Sequence, residues 1–537
     1  MSSNIGKVVV ASTVALTTAA NLVAPISINA AAKVKLNKTS VELKVGESLK
    51  LKLKGAKAVK FKSSNKKVAK VTSKGNIKAK KAGTATITVT GDDGKTYKCK
   101  VTVVKKNQNT GVDDQNIDLG GMEIIIRDWW SPEDPGDPHN DYEEARNEYI
   151  KDIQEKYNFK IRELAISDWG SCIMDFVDYV TNGGDNNNYV FTLHADQAVS
   201  EAMLSGLMYD LSTLDCLDFS KEKFSRNNLH KQFTLGSNIY AFHSNYSEPR
   251  TGVFFNKDVL KAAGIDPDEI YDAQKNGTWT WDMFEKIMSK VHRDTDGDGV
   301  PDVFGLTLNE SNMIQIAILS NNGSLITKDK NNKFVNNLES AATLEALKWC
   351  ADIFTKYDDH DPEDAAWDYY MHEFNSGKVA FCVDSEYLAD SAYSSGFGNT
   401  DFDLGFVMFP KGPKAKDYVS LQDDNIYVIP GCYDPETAWK IAFAWDKYTD
   451  FVPGYEDYNE YYTAAVNSNL DNRAVSETIP MMCDKKRGKY TYDYLIPGIQ
   501  VGYDLYWCIG PNADVNAIVA DIRKKWKDTI TEINSRI

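Results

Sequence analysis

Beyond residue 40 the chain alternates apolar and polar positions in short runs, at 41–45, 49–53, 58–63 and 84–89, with Gly46-Glu47, Gly55 and Gly83 between them. A period of two marks half-buried strands, and glycines at such breaks mark turns. Near 98–104 the pattern recurs, placing Cys99, Val101 and Val103 on one face. Two sheets whose inner faces share a core satisfy this spacing, which predicts a small β-sandwich. Beyond residue 120 the pattern changes. An apolar strand is expected at 122–126, a helix at 144–157, a strand at 159–164, a strand at 189–193 and a helix from 197 toward 207. Strands alternating with helices predict an α/β architecture.

The segment between these regions, 107–120, is polar and carries Gly111 with several Asp and Asn, as a linker does. Ahead of the first region, Lys7, the apolar stretch 8–22 and the small residues 30–32 have the layout of a secretory leader. The expected division is a leader at 1–32, a β-sandwich at 33–106, a linker at 107–120 and a larger α/β region at 121–537. No other run reaches the roughly 18 apolar residues of a membrane span. No Cys follows the leader, so the usual handle for a lipid anchor is missing and the mature protein is expected outside the cell, at the envelope.

Charge separates the two regions. Residues 33–106 hold 22 Lys and 4 acidic residues, whereas 107–537 hold 38 basic and 73 acidic ones, giving +18 and −35. The lysines lack interleaved aromatics or any nucleic-acid motif, so an anionic cell-wall polymer suits residues 33–106 better than DNA does, and a merely solvated basic domain suits them equally. The eight Cys are scattered without metal-ligand spacing and are expected to be mostly buried thiols.

One loop carries metal chemistry. Residues 293–305 read R-D-T-D-G-D-G-V-P-D-V-F-G, with Asp294, Asp296 and Asp298 at positions one, three and five. Val300 at seven can offer its carbonyl, Asp302 stands at nine, and Gly299 fills the sixth place, where the backbone turns sharply. Hard oxygen donors on a tight loop suit structural calcium. Position twelve is Gly305 instead of the bidentate Glu of a sensor hand, so a fixed ion is expected.

Two resemblances sharpen the picture. L-N-K-T-S-V-E-L-K-V-G-E at 36–47, S-S-N-K-K-V-A-K-V at 63–71, G-N-I-K-A at 75–79 and K-A-G-T-A-T-I-T-V at 81–89 resemble a group 2 bacterial immunoglobulin-like domain. Residues 189–214, Ile239-Tyr240, G-V-F-F-N-K-D-V-L-K-A-A-G at 252–264 and N-G-T-W-T-W-D-M-F at 276–284 resemble an extracellular solute-binding protein of carbohydrate ATP-driven importers. F-N-S-G-K-V-A at 374–380 and G-F-V-M-F-P-K-G-P at 405–413 extend that match. The family implies two α/β lobes of periplasmic-binding-protein type, joined by crossings near 241–250, 381–387 and 419–429, with the first lobe at 122–237 and a return near the C-terminus.

Ligands of open α/β sheets collect beyond the strands' C-terminal ends. On that ground and by the resemblance, the ligand-binding candidates are Trp129, Trp130, His194, Asp196, Glu386, Tyr387, Asp423 and Asp424. Arg250 near a crossing, Trp367 and Trp507 join them, while Trp279 and Trp281 read as core anchors. The implied function is non-catalytic capture of a saccharide by a monomer that delivers it to a membrane permease. An adhesive wall protein is the alternative, and a glycan-processing enzyme the weaker one. No nucleophile elbow, phosphate loop or H-E-x-x-H motif occurs.

Overall fold

The computed structural model describes residues 34–44, 48–81, 83–104, 117–194, 197–358, 360 and 364–536. The expected leader and most of the expected linker lie outside these residues, as does Asp196. The chain divides into two compact units, Met1–Thr110 and Gly111–Ile537.

The first unit is a β-sandwich. One sheet orders the strands Ser40–Lys44, Thr96–Val104, Gly83–Gly91 and Ala58–Ser63, and the other orders Ser48–Lys50, Asn76–Ala79 and Ala69–Val71. Ala85, Ile87 and Val89 on one strand and Cys99, Val101 and Val103 on its neighbour are buried between the sheets. Lys98 and Lys100 alternate with them and face outward, which is how a strand can be lysine-rich and still build a core. Gly75 sits at φ +81°, where a Cβ would lie 2.5 Å from the Leu51 carbonyl oxygen, so only glycine serves that turn.

The second unit is built on two four-stranded sheets. The first lobe orders Phe159–Ala165, Met122–Asp128, Asn188–Leu193 and Ile426–Val428, the last antiparallel to its neighbour. Successive residues feed opposite layers. Ile124, Ile126 and Val190 pack with Tyr157, Phe443 and Trp445 of helices Asp141–Tyr157 and Pro435–Tyr448. Tyr189, Phe191 and Leu193 pack instead with Ile173 and Phe176 of helix Cys172–Thr181. Within this lobe the buried Lys223 ammonium bonds Asp446 at 3.0 Å and Asp450 at 2.8 Å, so its charge is compensated.

The second lobe orders Phe304–Leu308, Val379–Asp384, Gly252–Asn256 and Leu404–Met408. Each of these strands is buried along nearly its whole length, as a sheet covered on both faces requires. Trp279 donates its indole N–H to the Met408 carbonyl at 2.8 Å, and Trp281 lies flat on Trp349 at 4.1 Å. Both are core anchors. All eight Cys are free thiols, and six of them are buried.

The chain passes between the lobes at 241–250, 419–425 and 449–459. The first two passages run antiparallel and are stitched by single bridges, Phe242 to Tyr427 and Arg250 to Leu421. Two expectations are corrected here. Residues 381–387 stay in the second lobe, because Val379–Asp384 is an inner strand flanked by Phe304–Leu308 and Gly252–Asn256. The return to the first lobe is made by Ile426–Val428 and Pro435–Tyr448, and the C-terminal helix Val515–Arg536 packs on the second lobe, against Ala341–Tyr357 and Phe334–Asn336.

Candidate functional site

At the C-terminal ends of the first lobe's parallel strands the chain presents aromatic rings. Buried Asp128 closes the first of these turns, its carboxylate accepting from the N–H groups of Trp130 and Ser131 at 3.1 and 3.0 Å and from the Ser131 hydroxyl at 2.6 Å. Trp129 is thereby turned against the core, while Trp130 crosses it edge to face at 4.9 Å and is 50% exposed. At the end of the third strand, His194 carries Trp169 stacked on its ring, and its Nε2 lies 3.1 Å from the Trp169 carbonyl. Trp169 comes from the loop after the strand Phe159–Ala165 and is 62% exposed. Three indoles and an imidazole thus form one platform, of which Trp130 and Trp169 offer most of the open surface.

Carboxylates dominate the passages between the lobes. Glu248 accepts from Arg250 Nε and Nη2 at 3.0 and 2.7 Å, and its own N–H donates to Asp424 Oδ1 at 2.7 Å. Burial pushes the Asp423 carboxyl up, opposed by Arg250, with His194 acting in the same direction from the first lobe. Asp493 is pushed up to about 6 by burial. Glu386 is buried on the 3-10 turn Glu386–Ala389 of the second lobe, and burial, with Glu248 and Asp390 adding repulsion, pushes it up to about 8. At neutral pH it is therefore mostly a neutral acid, able to donate as well as accept. Asp384 beside it is satisfied by the Tyr370 hydroxyl at 2.5 Å, Asn312 Nδ2 at 2.7 Å and the Ser385 N–H at 2.6 Å.

Several buried polar atoms on or next to these passages have no hydrogen-bond partner in the protein, Ser247 Oγ, Thr251 Oγ1 and Asp424 Oδ2, while His243 Nε2 has only the Asp424 carboxylate at 4.0 Å. Buried polar atoms are ordinarily hydrogen-bonded, so such a cluster belongs where water or a ligand completes it. A cavity of about 950 Å³ lies between the first turn of helix Asp141–Tyr157, in the first lobe, and helix Glu460–Asn467, in the second. It is lined by Tyr142, which stacks on Tyr458 at 3.5 Å, and by Tyr455 and Glu460. Burial pushes Glu460 up, with His243 and Arg146 opposing and Asp424 adding to the rise.

The residues expected from the sequence distribute as follows. Asp423 comes within electrostatic reach of Arg250, Asp424 and, from the first lobe, His194, and Arg250 comes within reach of both aspartates. Glu386 and Tyr387 stand at the end of strand Val379–Asp384, and Tyr387 also acts on Arg250. Trp367, 72% exposed, precedes helix Tyr369–Asn375, and Trp507, 57% exposed, packs edge-on to Tyr503 at 4.4 Å. The sequence reading missed Trp169, Glu460, Tyr142 and Asp493. Trp169 was accessible to the same strand-end rule that selected Trp130 and His194. The others sit on helices and turns, where no periodicity distinguishes a lining residue.

The acidic loop closes as a hairpin, with Arg293 bonded to Val303 through both backbone groups. One carboxylate oxygen each of Asp294, Asp296 and Asp302 lies within 4.8 Å of the others, while Asp298 falls outside the trio and accepts from the Val300 N–H at 2.7 Å. Asp294 accepts from the Gly299 and Gly297 N–H groups at 2.8 and 2.6 Å, which hold it below the usual carboxylate range. The Val300 side chain is exposed and has no ligating atom, so its carbonyl oxygen is what this position can offer a cation. Gly305 at position twelve lies on strand Phe304–Leu308, where a Cβ would stand 3.0 Å from Met288 Cβ. A glutamate there would collide with the core.

Comparison with known proteins bears on the fold of both units. Residues 221–445 match the family of bacterial extracellular solute-binding proteins, and residues 22–103 match the group 2 bacterial immunoglobulin-like domain. The latter match starts ahead of the boundary expected at 33, over residues outside the described ones. No curated protein matches the sequence. Among solved structures, the fold is similar to the cyclic alpha-maltosyl-1,6-maltose binding protein from Arthrobacter globiformis, at 12% identity over 77% of this chain and 100% of that one, TM-score 0.55. It is also similar to UgpB from Mycobacterium tuberculosis in complex with glycerophosphocholine, at 16% identity over 77% and 99%, TM-score 0.50. The chain thus pairs a group 2 bacterial immunoglobulin-like domain with the fold of a bacterial extracellular solute-binding protein, as the motifs of both regions imply.

Proposed function

We propose that this protein captures a carbohydrate of oligosaccharide size outside the cell and delivers it to an ATP-driven membrane importer, with no chemical step. The observation that carries this reading is the pairing of an exposed aromatic platform, Trp130 and Trp169, with unpartnered buried polar atoms on the crossing segments. Sugar rings present apolar faces to indoles and hydroxyls to carboxylates and hydroxyl groups. The cavity of about 950 Å³ stands at the upper end of ordinary small-molecule sites, roughly 300–1,000 Å³, and suits more than one ring. Two passages stitched by single bridges provide a hinge about which the lobes can close. Calorimetric titration with a panel of neutral oligosaccharides tests the reading. Saturable binding with the sugar recovered intact supports it. Cleavage of the glycan would favour the enzyme alternative, for which the gathered carboxylates are the natural suspects.

Two subordinate readings accompany it. Asp294, Asp296 and Asp302, joined by the Val300 carbonyl, would hold calcium as a structural ion, their all-oxygen donor set suiting a hard cation. Bound calcium would offset most of the trio's negative charge and fix helix Trp281–Val291 against strand Phe304–Leu308. The +18 charge of residues 33–106 supports retention near an anionic wall polymer. Deleting those residues should release the protein from walls, and unchanged retention would refute that role.

A further inference from the structure

Away from the interlobe cavity, the acidic second unit has a concave surface of the opposite sign. A cavity of about 820 Å³ is lined by Lys328, Lys414, Lys416, Lys486 and Lys489, against the single carboxylate of Asp417. The region 107–537 carries −35 overall, so five lysines converging on one hollow run against its composition. Regular backbone holds two of them in place. Lys328 ends strand Ile326–Lys328 of a hairpin, and Lys489 ends Gly488–Lys489, paired with Ser420–Leu421. Lys328 is the anchor. It donates to the Thr234 carbonyl at 3.0 Å and lies over Tyr492 at 4.6 Å, and burial pushes it down to about 8. Lys414 pairs with Glu345, but no ion pair occupies Lys416, Lys486 or Lys489 among the described residues.

The hollow does not end there. Asn337 also borders a second cavity of about 560 Å³, whose charged lining is Glu339, Arg523, Lys524 and Lys527. Arg523 is engaged by Glu339 at 3.1 Å, leaving Lys524 and Lys527 on helix Val515–Arg536. The two cavities adjoin at Asn337, and cations line each of them, which makes one basic groove of the pair. Unpaired ammonium groups at short range repel one another, and a bound anion would relieve that repulsion. A single small ion fills neither cavity, and cations distributed along a groove match charges distributed along a chain.

We propose that this groove binds a linear polyanion, a chain bearing phosphate or carboxylate groups at intervals, with its uncharged backbone against Tyr490 and Tyr492. The site is opposite in charge to the carboxylate-rich crossing, which it adjoins where Gly488–Lys489 pairs with Ser420–Leu421, and its lysines are not among the residues proposed to hold the sugar. Whether the polyanion is a free chain or one attached to a surface does not alter the chemistry of recognition.

Because the first unit is also basic, the test must report location. Hydrogen–deuterium exchange is followed on the full chain with inorganic polyphosphate of about ten units and, in parallel, with pyrophosphate at equal phosphate concentration. Polyphosphate should slow exchange at least about threefold in peptides covering 324–337, 414–419 and 486–492, and pyrophosphate should do so less. K416E/K489E should abolish that protection while leaving any protection within 34–104 intact. K151E/K160E, an equal charge change placed elsewhere on the same unit, should leave the groove's protection in place. Protection confined to 34–104, or protection of the groove that both double variants reduce alike, would overturn the proposal. Parallel exchange with the soluble chain and with isolated cell wall separates the two sources of polyanion.

Discussion

The indole of Trp169 lies on the imidazole of His194 at 4.4 Å between ring centroids and 16° between planes. Two strand-end loops meet in this stack, and most of the outer face of Trp169 remains open to solvent. If it is the platform for a sugar ring, Trp169→Ala should weaken oligosaccharide binding about tenfold, the ~1.4 kcal/mol expected of one lost aromatic contact. Its exposure means that thermal stability should hardly change. Calorimetry against scanning calorimetry separates the two effects, and unaltered affinity would remove Trp169 from the site.

Glu386 should make stability depend on pH. Its folded form holds the proton up to about 8, whereas the unfolded chain releases it near the ordinary 4.5. Its stabilising contribution is therefore complete below that lower value and is lost as pH rises through about 8. Asp493, raised to about 6, pushes in the same direction over a narrower window. Glu386→Gln should flatten the decline in melting temperature between pH 5 and pH 8 by a few degrees, roughly 2–5 °C. An identical profile in the variant would contradict the burial argument.

Calcium should stabilise the second unit if the trio Asp294, Asp296 and Asp302 binds it. At about one hundred times its dissociation constant a ligand contributes ~2.7 kcal/mol to the folded state. Asp296→Asn should abolish that calcium-dependent rise in melting temperature while leaving the metal-free value within a degree or so, about 1 °C. A rise that persists in the variant would exclude the site.

Completing the loop with a glutamate should fail. Gly305→Glu would bring a side chain against Met288 and Tyr357, whose Cβ atoms stand 3.0 and 3.2 Å from the missing Cβ, closer than ordinary van der Waals contact. Overpacking of this kind costs roughly 1–3 kcal/mol. The variant should melt lower and gain no calcium affinity, measured by calorimetry on the chelator-treated protein.

Much of this molecule was readable from residue order alone, and the unread parts share a cause. Strand Ala58–Ser63 and the shared face of Cys99, Val101 and Val103 follow from alternation, because a strand's period is short enough for a few residues to declare it. Trp130 and His194 follow from a strand-end rule, and Trp169 obeys the same rule in the loop after Phe159–Ala165. Glu460, Tyr142 and Asp493 were not accessible in this way. They reach the interlobe region through tertiary placement of segments some 300 residues apart, which no local pattern encodes. The path of the returning chain was hidden for the same reason, since Ile426–Val428 is too short to declare which sheet it joins.

That late return bears on how the protein is made. The first lobe lacks its fourth strand until residues 426–428 leave the ribosome, after the second lobe's sheet has already been synthesised. Until then, Asn188–Leu193 has a bare backbone flank, and such flanks recruit wrong partners. If the chain is exported, as the proposed function requires, it gains from remaining unfolded in transit, and a lobe that cannot close early delays its own compaction. Assembly order and delivery route would then be set by the same three residues.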